Sequence, residues 1–219
     1  MGSLLSSILP LAVGAAISPT VLALQLLLLS SKKSPLKRSL MALAGSALVL
    51  LGYTALALAL GAGSEAAAKP STTDGVVKLI FGVLLLGLGI RAMIRDPKPA
   101  KPEQPGGSAH LLRSFELGAG IMLLNFTTLA LYFPALHEIT VDGGVEASQK
   151  AIAIVIVFLF AMLPAYMPLV ATVIGGNPAR RALERFNGFL TRHTQAITVG
   201  ICFLFAAYLG VSGARILFS

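Results

Sequence analysis

Polar positions along this chain are gathered into short clusters, and between them lie six apolar runs near 3–29, 38–60, 75–94, 115–136, 149–174 and 193–217. A helix needs about 20 residues to cross a hydrocarbon layer of about 30 Å, so each run predicts one membrane-spanning helix. Membrane barrels are written in alternating segments of ~10 residues, a pattern missing from this chain. The backbone groups are then satisfied inside helices. The predicted fold class is all-α, a polytopic membrane protein with six transmembrane helices.

The first and fourth runs share a motif. Ile17-Ser18-Pro19-Thr20-Val21-Leu22-Ala23-Leu24 matches Leu124-Asn125-Phe126-Thr127-Thr128-Leu129-Ala130-Leu131, a polar patch followed by Thr-x-Leu-Ala-Leu. Weaker matches pair Gly52-Tyr53 with Ala165-Tyr166, and Leu88-Gly89-Ile90 with Leu209-Gly210-Val211. Between the halves, Asp96 to Ser108 carries Pro97, Pro99, Pro102 and Pro105 and reads as an extended tether. The expected organisation is a three-helix repeat at 1–95, a Pro/Gly-rich cytoplasmic linker at 96–112 and a second three-helix repeat at 113–219. With an odd number of spans per half, the copies must insert in opposite senses, an arrangement common among small-solute transporters.

Composition supports lipid as the solvent: 56% of the 219 residues are hydrophobic and only 12% charged. The net charge of +8 does not point to nucleic acid, because the basic residues sit at span ends. Lys32, Lys33, Lys37 and Arg38 follow the first span; Arg91, Arg95, Lys98, Lys101 and Arg113 follow the third; Arg180, Arg181, Arg185 and Arg192 follow the fifth. The positive-inside rule makes these connections cytoplasmic and places both termini outside. Such clusters ordinarily report topology and contact with anionic lipid. Cys202, the only cysteine, excludes an internal disulfide and reads as an inert packing residue. The opening Met1-Gly2-Ser3 matches a myristoylation pattern, but an acyl anchor adds little to a chain that already spans.

Chemistry is expected where polar groups enter the apolar runs. Pro19 removes one backbone hydrogen bond and frees the carbonyl of Ala15, and Ser18 and Thr20 flank the break with hydroxyls. Asn125, Thr127 and Thr128 bring an amide and two hydroxyls to the matching depth. These six residues, with Tyr53 and Tyr166, are the candidate substrate-binding set. The plainer reading is that Ser and Thr bond back to the preceding turn and Pro19 only bends its helix. Pro164 and Pro168 make a kinked fifth helix a candidate gate, and Glu116, in the first turn of the fourth span, a candidate coupling group. Charge is absent near the centre of every span, which suits a neutral or weakly polar cargo. No metal site or cofactor is expected, because His137, Glu138 and Asp142 lack a second His at ligand spacing. Enzymatic activity is not expected either, since no His stands at the depth of Ser18 or Ser46 to act as a base.

Ala16-Ile17-Ser18-Pro19 and Leu124-Asn125-Phe126 resemble the paired motifs of the LysE superfamily of small exporters. Its amino-acid branch carries glycines around the first proline and an Asn-Pro pair at the second position; here Ser18, Thr20 and Phe126 stand instead. The Ser-Pro form, the Asn-Phe-Thr segment and the long proline-rich central loop are more similar to the GAP/Sap branch, the glycolipid- or sulfolipid-addressing proteins of mycobacteria and relatives. That resemblance implies an exporter in the bacterial inner (cytoplasmic) membrane, moving a small amphiphilic or lipid-linked solute by alternating access. Two alternatives stay open: a non-transporting scaffold for a lipid synthesis and export assembly, and an amino-acid or metal-ion exporter. The implied partners are membrane lipids, the solute, and either further copies of the chain or a lipid-export assembly.

Overall fold

The computed structural model describes residues 2–31, 34–61, 72–94 and 110–218. Most of the expected linker at 96–112, and the 62–71 connection with Glu65 and Lys69, lie outside the described residues. The chain forms eight helices among the described residues: α1 (Gly2–Ala16), α2 (Pro19–Leu29), α3 (Pro35–Gly61), α4 (Thr72–Ile94), α5 (His110–Leu123), α6 (Phe126–Val141), α7 (Ala147–Arg192) and α8 (Thr194–Phe218). No strand occurs among these residues.

Four helical segments are long and apolar enough to cross a membrane: Pro35–Ala59, Gly75–Ile94, Ala147–Gly176 and Thr194–Phe218. The first and fourth apolar runs are each broken into two helices. α1 and α2 meet at a bend of 49°, and α5 and α6 at one of 67°. If each bent pair is one span, the number of spans rises to six. The breaks fall at the two copies of the motif. Ser18 caps α2 and Pro19 opens it, where its fixed φ suits the first turn and its missing N–H is not needed. Asn125 caps α6 in the same way.

The core is assembled from helix faces rich in Leu, Ala and Gly, while large apolar side chains point outward, as lipid requires. Val83 is 68% exposed and Leu204 63%. Helices in lipid gain little from burying oil against oil and associate instead through close backbone approach and hydrogen bonds. α3 lies against α5 so tightly that a Cβ on Gly118 would stand 2.0 Å from the Ala42 carbonyl oxygen, and one on Gly45 would stand 2.2 Å from that of Phe115. Ser46 fastens the same crossing by donating to the Gly118 carbonyl at 3.0 Å. Arg38 meets Ser114 at one end of this contact and Ser46 meets Gly118 further along, so α3 and α5 run parallel. α4 and α8 run antiparallel: Gly75 faces Gly213 and Leu217, Gly82 faces Gly210, and Gly89 faces Cys202. α1 and α6 are also antiparallel, with Gly14 against Leu131 and Ala15 against Thr128.

α7 runs well past its apolar run. Its backbone stays helical through Pro164 and Pro168, both buried, and the non-helical residue is Gly176, with φ 56 and ψ −143. Only glycine adopts that conformation at little cost. The basic stretch after the break, read above as a connection, is itself helical. It lays Leu183 and Leu190 onto Leu22 and Leu26 of α2, which leaves Arg181, Arg185 and Arg192 exposed.

Candidate functional site

The two motif copies meet. Asn125 donates from Nδ2 to Ser18 Oγ at 2.8 Å, across 107 residues of sequence. Each residue also caps its own helix: Ser18 Oγ accepts from the Val21 amide at 3.5 Å, and Asn125 Oδ1 accepts from the Thr128 amide at 3.4 Å. A serine oxygen has two lone pairs and an amide side chain offers both an acceptor and donors, so both residues can cap and pair at once. The carbonyl of Ala15, left without its helical donor by Pro19, receives the Thr128 hydroxyl at 3.1 Å. Thr128 and Ala15 are fully enclosed. One broken helix thus supplies the acceptor and the other the donor, and the starts of α2 and α6 bring their positive dipole ends to one place. Dipole ends, hydroxyls and an amide can orient a polar ligand by hydrogen bonding; they hold no acid or base for proton transfer at neutral pH.

The remaining candidate residues scatter. Thr127 lies against the Cys202 thiol of α8. Thr20 is exposed on the outer side of α2 and is not part of the bonded group. Tyr53 packs edge-to-face on Phe133, ring centroids 6.0 Å apart, and Tyr166 packs against the core; neither touches the Ser18–Asn125 pair through any bond among the described residues. Glu116 falls in the second turn of α5, which starts earlier than its apolar run, and is exposed.

Further polar groups stand at the two ends of the bundle, among them Tyr132 and Gln25, whose polar atoms in apolar runs mark them in the sequence. At one end Lys78 of α4 pairs with Glu138 of α6 at 3.1 Å, their side chains only 14% and 12% exposed. Lys78 also donates to Ser212 of α8 at 3.3 Å. Nearly two turns deeper along α6, Tyr132 shares a 2.7 Å hydrogen bond with Thr54, which in turn donates to the Leu50 carbonyl. At the other end Gln25 and Ser39 bond reciprocally, the Ser39 hydroxyl to Gln25 Oε1 at 2.5 Å. Beside them Arg38 Nε donates to Ser114 Oγ at 3.3 Å. Span-end charges carry no mark in sequence that separates these from topology signals; the hydroxyls of Ser114 and Ser212, one helix away, are the only hint. Along the outer side of α4 and α8, Leu79, Gly82, Leu86, Phe203 and Ala206 line an apolar groove of about 290 Å³.

No curated protein and no solved structure matches this chain. A family model does, that of Sap, sulfolipid-1-addressing protein, over residues 8–215. Its match takes in both broken spans and every residue of the Ser18–Asn125–Thr128 group, so this membrane-associated chain belongs to the Sap, sulfolipid-1-addressing protein, family.

Proposed function

We propose that the protein is a small secondary exporter of the cytoplasmic membrane, moving an amphiphilic, lipid-linked solute by alternating access of two inverted three-span halves. The observation that carries this reading is the 2.8 Å bond between Asn125 and Ser18, which joins the breaks of the first and fourth spans. Broken helices meeting at membrane depth are a transporter feature, because irregular backbone is tolerated there only inside protein or beside an aqueous path. Counting each bent pair as one span is favoured by its length. At 1.5 Å per residue the two pairs reach roughly 33 to 38 Å end to end, enough for the hydrocarbon layer, and bends below a right angle carry the chain onward rather than back. The helix directions agree with inversion: first against fourth and third against sixth are antiparallel, second against fourth parallel. The family name and the apolar groove on α4 and α8 favour a cargo with hydrocarbon tails.

In this scheme the Ser18–Asn125–Thr128 group binds the polar part of the cargo when the halves part. The Lys78–Glu138–Ser212 contact closes one side and the Arg38–Ser114 contact the other. Asn125→Leu keeps the branched side-chain shape and removes the amide. Cells carrying it should retain folded protein in the membrane and lose the exported lipid seen with the native chain; an unchanged lipid profile would remove the proposed site. A scaffold is the second reading, favoured by the way Ser18, Asn125, Thr128 and Ala15 satisfy one another. Purified protein in liposomes separates the two, since a scaffold moves no cargo by itself.

A further inference from the structure

Arg38 differs from the other basic residues at span ends. It is 8% exposed, and its single bond among the described residues is that from Nε to the Ser114 hydroxyl. No carboxylate stands against it among the described residues, whereas Lys78 is paired with Glu138. A buried guanidinium with no countercharge is costly, and an anion seated on its two terminal nitrogens relieves that cost. The surroundings favour such an anion. α3 and α5 run parallel and both begin within two turns of Arg38 and Ser114, so two positive dipole ends lie side by side. Lys37 and Arg113, both exposed, add charge at the rim.

We propose that Arg38, oriented by Ser114 where α3 and α5 begin, is the recognition site for the phosphodiester headgroup of an anionic lipid. A planar fork of donors fits a tetrahedral oxyanion through two parallel bonds. A lipid is favoured over a free anion by the residues around the site: Leu36, Leu40 and Leu112 on the same two helices are 45%, 50% and 61% exposed, a surface suited to hydrocarbon tails. The inference stands apart from transport, because a scaffold and an exporter would bind this headgroup equally well.

The test uses the purified full chain in nonionic detergent, titrated with phosphatidylglycerol, phosphatidylcholine or inorganic phosphate while its melting temperature is followed. Phosphatidylglycerol should raise the melting temperature of the native chain and of Lys37→Gln well above the value in phosphatidylcholine. In Arg38→Gln that difference should vanish, with affinity lower by roughly tenfold or more. Equal responses in Arg38→Gln and Lys37→Gln, or an inorganic phosphate response as large as that to the lipid, would overturn the headgroup assignment. The native chain supplies a second readout that does not depend on the variants folding. A phosphatidylglycerol bearing a photoreactive headgroup should crosslink within 34–40 and 111–117, and crosslinks confined to other segments would overturn the proposal.

Discussion

At the scale of single residues, the membrane interior makes each unpaired polar atom expensive, and the Ala15 carbonyl shows how the chain deals with one. Pro19 takes away its helical donor and Thr128, fully enclosed, replaces it at 3.1 Å. Thr128→Val keeps the shape and leaves that carbonyl unsatisfied, so unfolding in detergent should show a loss of about 1–3 kcal/mol. Thr20→Val, on the exposed side of α2, should change stability little. A reversal of that order would mean that the hydroxyl of Thr128 is not what holds α1 to α6. The residues of this group were legible because an amide and hydroxyls stand out in a run of Leu and Ala, and because Pro19 names the carbonyl it frees. Arg38 and Lys78 were not. Positions alone cannot distinguish a cation that snorkels to the interface from one turned inward onto Ser114 or Ser212.

At the scale of helices, packing depends on where glycine lets backbones touch. Gly118→Ala would place a methyl group 2.0 Å from the Ala42 carbonyl oxygen, which α3 and α5 can accommodate only by moving apart, at a cost of roughly 1–3 kcal/mol. Gly120→Ala meets nothing within 4 Å and should be neutral or stabilising by roughly 0.5–1 kcal/mol. Comparing the two by thermal unfolding in detergent checks the crossing. Six apolar runs announced the helices, yet the breaks within two of them were only half visible. Pro19 marks the first, whereas the second rests on Asn125 as a cap with no proline beside it. In α7 the candidate gate residues Pro164 and Pro168 sit in backbone with helical dihedrals. Both prolines are buried, and the break in helical dihedrals belongs to Gly176. The helix beyond it lies outside the apolar run, in a stretch whose arginines marked it only as a cytoplasmic connection.

At the scale of the whole molecule, polar contacts fall on three levels: Lys78–Glu138–Ser212 toward one end, Ser18–Asn125–Thr128 at the helix breaks, and Arg38–Ser114 with Gln25–Ser39 toward the other. Each level ties residues of 1–95 to residues of 113–219, and the proposed alternating access would make and break the outer two in turn. The claim on which this depends is that the first and fourth spans cross the bilayer completely and in opposite senses. Single cysteines at Gly2, Ser31, Arg113 and Gly143, placed in a Cys202→Ala background and exposed in intact cells to a membrane-impermeant maleimide, test it directly. Gly2→Cys and Gly143→Cys should be labelled from outside, and Ser31→Cys and Arg113→Cys only after the membrane is opened. Labelling of Gly2→Cys and Ser31→Cys from the same side, or of Ser31→Cys and Gly143→Cys from the same side, would contradict the account.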